Sequence, residues 1–130
     1  MSTVVITGST QGIGRGLAAE FCHRGHRVVV SSRNAQRVAD TVDALTRRGG
    51  EATGLACDVA QAQQVQALWD HAREQFGSVD IWINNAGLAR TLWPIMELPQ
   101  GEIETMVQTN MLGTINGCRV AVAGMTAQGS

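Results

Sequence analysis

Residues 4–16 read Val-Val-Ile-Thr-Gly-Ser-Thr-Gln-Gly-Ile-Gly-Arg-Gly, and this stretch decides the fold. The apolar run at its start predicts a short buried strand, and the glycines predict a tight turn into a helix. Gly8 permits a sharp turn, Gly12 permits a close approach of the main chain to a pyrophosphate, and Gly14 permits close packing of helix against strand. Unpaired backbone N–H groups and the positive end of the helix dipole favour an anion here. The stretch therefore predicts a dinucleotide-phosphate loop.

The spacing of these glycines narrows the type of loop. They follow the order Gly-x-x-x-Gly-x-Gly, which differs from the commoner dinucleotide fingerprint Gly-x-Gly-x-x-Gly. Because glycine also serves ordinary tight turns, a strand-to-helix turn that binds no ligand is the alternative interpretation.

The rest of the chain alternates between strand and helix patterns. Strands are predicted at Val4–Thr7, Arg27–Ser32, Ala52–Cys57 and Val79–Ile83. Helices are predicted at Gly12–Arg24, from the Asn34 cap to Gly49, from about Ala60 to Gly77, and from about Gly101 to Gly124. This alternation requires right-handed crossovers, which give a parallel sheet with helices on both faces. We predict one α/β domain over residues 1–130, with a doubly wound sheet of strand order 3-2-1-4.

Composition argues against several classes of protein. The chain has 130 residues and a net charge of −1, and its ten cations are scattered arginines, so there is no basic tract to bind nucleic acid. No apolar run is long enough to span a membrane and no signal peptide is visible, so we expect a cytoplasmic protein. Cys22, Cys57 and Cys118 include no close pair, and we interpret them as reduced packing thiols and expect no metal site.

Four motifs in order resemble those of one enzyme family. They are Thr7–Gly14, Cys57-Asp58-Val59 after the third strand, Asn84-Asn85-Ala86-Gly87 after the fourth strand, and Asn110 in the last helix. With them the chain resembles, along essentially its whole length, the N-terminal half of a short-chain dehydrogenase/reductase. The segments Ser31–Val38 and Asp80–Gly87 further resemble chlorophyll b reductase-like members. The resemblance implies hydride transfer between a nicotinamide cofactor and a carbonyl or alcohol substrate, in a protein that forms homo-oligomers.

The resemblance also implies roles for individual residues. Asp58 would bind the adenine end of the cofactor, and it could instead, or at the same time, cap a helix beginning near Ala60. The segment 84–87 would support the central strand and line the cofactor ribose, or would form a plain turn. Asn110 would hold a proton-relay water, or would be a satisfied core amide. Its predicted buried face comprises Ile103, Met106, Val107, Asn110 and Met111. The cofactor-binding set comprises Gly8, Ser9, Thr10, Gly12, Ile13, Gly14, Ser32, Arg33, Asp58, Val59, Asn84, Ala86 and Gly87.

The end of the second strand bears on the choice of cofactor. An NAD-binding chain would place a carboxylate about twenty residues after the glycine loop, where it would hold both ribose hydroxyls. Here that position is Ser32, and Arg33 follows it. A hydroxyl and a guanidinium suit a 2′-phosphate, which a carboxylate would repel. The sequence therefore favours NADP(H) over NAD(H), although Arg33 could also be a solvated loop cation.

Two residue types that catalysis in this family requires do not occur in the chain. It contains no tyrosine and no lysine, whereas the family uses a tyrosine as general acid or base and a lysine that lowers its pKa. Of the catalytic tetrad only Asn110 can be placed, since Ser130 is merely the last residue. We expect a fragment of a longer reductase that stops before a fifth strand and is inactive alone. The alternative is a non-catalytic nucleotide-binding or interaction module that pairs through its last helix; the substrate is not indicated.

Overall fold

The computed structural model of the chain describes residues 1–88 and 93–129. Four strands run over Thr3–Ile6 (β1), Arg27–Ser32 (β2), Glu51–Ala56 (β3) and Ile81–Ile83 (β4). Five α-helices run over Gly12–His23 (α1), Ala35–Arg47 (α2), Ala62–Phe76 (α3), Gln100–Val107 (α4) and Gly113–Gln128 (α5). A π-helical turn, Gln108–Leu112, joins α4 to α5, and a short 3₁₀ turn covers Ile95–Glu97. The predicted alternation of strand and helix is confirmed, with boundary shifts of a few residues.

The strands form one parallel sheet in the order β3-β2-β1-β4, as predicted. Because successive side chains of a strand point to opposite faces, the valine-rich central strands serve two separate cores. Val5 of β1 and Val29 of β2 pack on the side of α3 and α5. Val4 and Val28 pack on the side of α1 and α2. All four valines are fully buried, so helices cover both faces of the central strands.

The fourth strand is shorter than the predicted Val79–Ile83 because a side chain of the last helix takes the hydrogen bonds of Val79. Gln128 accepts the Val79 N–H through Oε1 at 3.1 Å and donates through Nε2 to the Val79 carbonyl at 3.0 Å. Asp80 then accepts the N–H of Thr3 at 2.8 Å, and β4 begins at the next residue. The amide of Gln128 therefore ties the end of α5 to the start of β4.

The last helix does not end at Gly124, and that prediction was wrong. Helix α5 continues to Gln128, and Gly129 ends it in the left-handed conformation with a φ of 81°. Gly124 instead allows the helix to lie against Trp69, because a Cβ at position 124 would overlap the indole ring. Trp69 is buried and packs on Trp82 with 6.2 Å between the ring centroids, so its ring has little freedom to move away.

Gly124→Ala should therefore lower the free energy of unfolding by about 1–3 kcal/mol, the range typical of overpacking a well-filled core. Urea denaturation followed by tryptophan fluorescence measures the change. Gly101→Ala is the matched control, because no atom lies within 4 Å of a Cβ built at that helical position. The control should stabilise slightly, by about 0.5–1 kcal/mol. An unchanged midpoint for Gly124→Ala would mean that the indole ring can shift without cost.

The buried face predicted for the last helix was also wrong. Val107 and Met111 are more than half exposed, and Asn110 is exposed as well. The residues that face the core are Thr109, Gly113, Asn116, Gly117 and Ala121. The π-helical turn adds one residue per turn, so the buried face after it no longer continues the one before it. Within residues 1–88 and 93–129, no helix combines the length and the apolar character needed to cross a membrane.

Candidate functional site

A cleft of about 420 Å³ lies at the carboxyl ends of the strands. The loops that follow all four strands line it, and Thr109 of the π-helical turn contributes a further wall residue. In a parallel sheet this edge is where the loops converge and where ligands bind. The cleft therefore occupies the position that the glycine-rich stretch predicted for a nucleotide.

The loop after β1 has the conformations that its glycines were expected to supply. Gly8 and Gly12 have φ values of 64° and 57°, which side-chain-bearing residues rarely adopt. Apart from its chain neighbours and its own helix backbone, no atom of the described residues lies within 4 Å of a Cβ built on Gly12, so the main chain there borders open space in the cleft. A Cβ on Gly14, in contrast, would overlap the Gly8 carbonyl oxygen and the Asn85 amide nitrogen. Gly12 thus leaves room for a ligand, whereas Gly14 is needed for packing.

Ser9 is buried behind the loop after β1 and is not among the residues that line the cleft. Its buried hydroxyl donates to the Ile6 carbonyl at 2.7 Å and accepts the N–H of Ser31 at 3.0 Å. The Ser9 N–H also donates to the Ser31 carbonyl at 2.9 Å. These bonds join the first loop to the end of β2, so this serine holds two walls of the cleft at a constant separation.

Ser9→Ala should lower the free energy of unfolding by about 1–3 kcal/mol, because the buried N–H of Ser31 would lose its acceptor. Chemical denaturation measures this loss. Thr46→Ala is the control, since that exposed hydroxyl bonds only to carbonyls of its own helix. We expect the control to change stability by no more than about 0.5 kcal/mol. Equal effects in the two variants would show that the Ser31 N–H finds another partner.

The loops after β1 and β4 are bonded directly to each other. The hydroxyl of Thr7 accepts the N–H groups of Asn85 and Ala86 at 3.0 and 3.1 Å. The Asn85 side chain donates to the Gly8 carbonyl at 3.0 Å. A Cβ on Gly8 would come within 2.7 Å of the Ala86 Cα, so only glycine allows this approach. Asn85 was not among the predicted site residues, although it stands in the middle of the motif that contains them.

Asn84 is turned away from the cleft. Its Oδ1 accepts the indole N–H of Trp82 at 2.9 Å, and its Nδ2 donates to the Cys118 sulfur at 3.4 Å. A Cβ on Gly117 would overlap the Asn84 side chain, so α5 approaches β4 closely at this point. The side chain of Asn84 therefore joins the fourth strand to the last helix.

The loop after β2 brings two cations to one end of the cleft. Arg33 and Arg37 both line it, and so do Ser32 and Asn34. Asn34 caps α2 as predicted, because its Oδ1 accepts the Arg37 N–H at 3.0 Å. The Ser32 hydroxyl accepts the Asn34 N–H at 3.3 Å. No carboxylate occurs in residues 31–37, so this end of the cleft has a positive charge.

Asp58 lines the cleft and is not the cap of a helix. Its Oδ1 accepts the N–H of Ala60 at 3.0 Å, which closes a local turn. Its own N–H donates to the Gln64 side chain at 2.8 Å. Because α3 begins at Ala62, the alternative in which Asp58 caps a helix near Ala60 is wrong. Within residues 1–88 and 93–129, no hydrogen-bond partner is found for its Oδ2.

Asn110 holds the loop after β4 by both ends of its amide. Its Oδ1 accepts the Leu88 N–H and its Nδ2 donates to the Leu88 carbonyl, each at 2.7 Å. The main-chain carbonyl of Asn110 accepts the Thr114 hydroxyl at 2.8 Å. The amide is therefore satisfied, although it is exposed and not in the core. Its expected part in a proton relay stays a prediction.

Cys57 lines the cleft but is poorly suited to act as a nucleophile. The residue is buried, and burial raises the pKa of its thiol to about 11. The thiol is therefore protonated at neutral pH, and the thiolate is the reactive form. This agrees with the interpretation of Cys57 as a packing residue. Cys22, Cys57 and Cys118 are all free thiols.

Most of the predicted cofactor-binding residues meet at this cleft. Those that line it are Gly8, Thr10, Gly12, Ile13, Ser32, Arg33, Asp58, Val59, Ala86 and Gly87. Ser9, Gly14 and Asn84 lie behind its surface, where they hold the loops in place. Lining residues that the sequence interpretation missed are Gln11, Asn34, Arg37, Cys57, Asn85, Leu88 and Thr109. All of them lie within or beside the motifs in sequence, but the motifs do not indicate which of their residues face the cleft.

The chain matches the family of short chain dehydrogenases over residues 2–130. One curated relative is the chloroplastic chlorophyll(ide) b reductase NOL of Oryza sativa subsp. japonica, which is 43% identical over 128 residues. That match covers 96% of the chain and 37% of the relative. The chain therefore spans little more than a third of that protein's length.

Two solved structures with bound cofactors resemble the chain along nearly its whole length. A short chain dehydrogenase/reductase from Burkholderia phymatum, in complex with NAD, has a TM-score of 0.90 and 34% identity over 99% of this chain and 46% of its own. A metagenomic short-chain oxidoreductase, in complex with NADP, has a TM-score of 0.86 and 25% identity over 98% of this chain and 57% of its own. One of these two structures thus holds NAD and the other holds NADP.

Proposed function

Because the chain belongs to the short-chain dehydrogenase family, we propose that its cleft binds NADP(H) as the cofactor-binding part of a reductase or dehydrogenase. The observation that carries this proposal is the charge at the end of β2. Ser32 and Arg33 line the cleft there, and no carboxylate stands beside them to repel a 2′-phosphate. NADP(H) is therefore preferred over NAD(H).

The shape of the first loop fits a dinucleotide pyrophosphate. The open space beside Gly12 would be filled by a side chain at that position, and the first N–H groups of α1 have no intrahelical acceptor. Thr10 and Ile13 complete this wall of the cleft. We assign the pyrophosphate to these residues, because free N–H groups at a helix start bind anions.

The remaining wall residues are assigned to the adenosine and the riboses. The Oδ2 of Asp58, which has no partner among the described residues, suits the exocyclic amine of adenine, and Val59 supplies an apolar contact beside it. Ala86 and Gly87 stand after β4, where a ribose would lie against the main chain. When the cofactor is bound, its nicotinamide supplies hydride transfer, and these residues hold its adenosine and riboses.

The proposed reaction of the whole enzyme is the interconversion of a carbonyl and an alcohol on a small molecule. Within these 130 residues the tyrosine and lysine that would move the proton are absent, so we expect the chain to bind the cofactor without turning over substrate. Asn110 is proposed as its contribution to the tetrad. A cytoplasmic location and homo-oligomer formation by the whole enzyme remain predictions.

Titration of the purified chain with NADPH and with NADH tests the proposal. Binding is followed by the fluorescence of the reduced nicotinamide and by the midpoint of thermal unfolding, which a ligand of the folded state must raise. We expect saturable binding of both cofactors, with NADPH bound at least about tenfold more tightly, as one added charge-assisted bond requires. A cooperative melt that neither cofactor shifts would refute cofactor binding. Equal affinities would refute the preference for NADP(H).

A further inference from the structure

Arg37 reaches across the adenosine end of the cleft to the phosphate loop. Its Nη1 donates to the Oε1 of Gln11 at 3.4 Å, which joins the first turn of α2 to the start of α1. The two residues are 26 positions apart in the chain. Gln11 is the N-terminal cap residue of α1, but its side chain makes no capping bond. The Gln11 side chain is therefore available to orient the guanidinium.

The backbone of Arg37 is also held by a hydrogen bond. Its N–H donates to the capping oxygen of Asn34 at 3.0 Å, so the first turn of α2 has a defined start. The side chain of Arg37 therefore projects from a fixed position in the first turn of α2, and Arg33 and Arg37 both line the cleft. The capping residue that ends the β2 loop thus also places the second arginine.

The partner of Arg37 is neutral, so its positive charge is retained. The ion pairs found among residues 1–88 and 93–129 join Arg24 to Glu20 and Arg47 to Asp43, and Arg37 is in neither. Asp58 is the single carboxylate among the lining residues. A guanidinium has five N–H donors, and the bond to Gln11 occupies one of them. The others have no partner among the residues that the structure describes, so they can bond to an anion in the cleft.

We propose that Arg37 is a second ligand of the cofactor's 2′-phosphate and that Gln11 is its positioning residue. This inference rests on the proposed binding of NADP(H). A phosphate has three strong acceptor oxygens, whereas the planar fork of one guanidinium bonds to two of them, so a second guanidinium can bond to the third. An amide acceptor holds the second guanidinium in place without neutralising it, which a carboxylate at position 11 would do.

The test is calorimetric titration of the 130-residue chain with adenosine 2′,5′-bisphosphate and with AMP. These probes share the adenosine end and differ in the 2′-phosphate alone. Arg37→Ala should weaken the bisphosphate by about tenfold to a hundredfold, the loss expected for one charge-assisted bond, and should change AMP by less than about twofold. Arg37→Lys should recover part of the loss, because it restores the charge without the fork. Arg47→Ala, an arginine of the same helix paired with Asp43, is the control and should leave both affinities unchanged.

Gln11→Ala separates positioning from direct contact with the phosphate. In the wild-type background it should weaken the bisphosphate by about threefold to tenfold, because an unheld guanidinium loses side-chain entropy on binding. In the Arg37→Ala background the same change should have no effect. Equal losses in the two backgrounds would show that Gln11 does not act through Arg37.

The outcomes distinguish the inference from the proposal on which it rests. If the wild-type chain binds AMP and the bisphosphate equally, the preference for NADP(H) and the role of Arg37 both fail. If the wild-type chain prefers the bisphosphate and Arg37→Ala keeps that preference unchanged, the inference alone is overturned and Arg33 carries the selection. Loss of both probes in Arg37→Ala would assign Arg37 a structural role and would also overturn the inference.

Discussion

Alanine at position 14 should displace the loop after β1 and greatly weaken dinucleotide binding. The added Cβ would overlap the carbonyl oxygen of Gly8 and the side-chain nitrogen of Asn85. Those two groups are hydrogen-bonded to each other at 3.0 Å, so relief of the overlap must break a bond that joins the loops after β1 and β4. Overpacking a buried site costs about 1–3 kcal/mol, and breaking the bond adds to that cost. Affinity for NADPH should fall by about a hundredfold or more, because both walls of the cleft move.

Gly16→Ala is the matched control for this prediction. It lies two residues further along the same helix, and no atom lies within 4 Å of a Cβ built there. We expect it to raise the free energy of unfolding by about 0.5–1 kcal/mol and to leave NADPH affinity unchanged. Thermal unfolding and cofactor titration of both variants provide the comparison. Wild-type affinity in Gly14→Ala would show that the two loops can separate without harm to the site.

Arg33→Ala should remove the proposed preference of the chain for NADPH over NADH. The guanidinium at the end of β2 is the nearest cation in sequence to the position that selects the 2′ substituent, and no carboxylate in residues 31–37 opposes it. Loss of a charge-assisted bond to phosphate costs about 1.5–3 kcal/mol, which is about a tenfold to hundredfold loss of NADPH affinity. NADH affinity should change by less than about threefold, since NADH has no phosphate at this position.

Ser32→Asp tests the same argument in the opposite direction. A carboxylate at that position would accept the ribose hydroxyls of NADH and repel the 2′-phosphate of NADPH. We expect NADH to be bound more tightly than in the wild-type chain, and NADPH more weakly. Titrations at two salt concentrations give a further check, because screening should shrink the NADPH effect more than the NADH effect.

For Arg33→Ala, equal losses of affinity for NADPH and NADH would remove the argument for NADP(H).

The positions of the strands could be predicted because each strand is marked locally. Valine-rich runs such as Arg27–Ser32 lie between glycine or asparagine residues that end one helix or cap the next. These signals act over a few residues, so they can be read without knowledge of the fold. The glycine loop was predictable for the same reason, since Gly8 and Gly12 take positive φ values and Gly14 takes a packing position.

The last helix was harder to predict because its faces depend on a π-helical turn. A period of 3.6 residues drawn through Ile103 and Asn110 places them on one buried face, but the turn at Gln108–Leu112 shifts the face that follows. Gly124 looks like a stop signal in sequence and serves as a contact point for Trp69. The hydrogen bonds of Gln128 to Val79 likewise join residues 49 positions apart, and no local pattern announces them.

The amino-acid sequence alone was sufficient for the strand positions, the fold class and the family, because local periodicity and short motifs mark them, and the strand order then followed from the doubly wound fold. The tertiary structure alone decided which motif residues face the cleft and which stand behind it. Asn84 and Asn85 are neighbours in sequence, but one is bonded to Trp82 and the other to Gly8 across the cleft wall. Arg37 meets Gln11 only because parallel strands bring their following loops to one edge of the sheet. The direction of a side chain at that edge depends on contacts between residues that are distant in sequence, whereas sequence patterns describe only residues that are close in sequence.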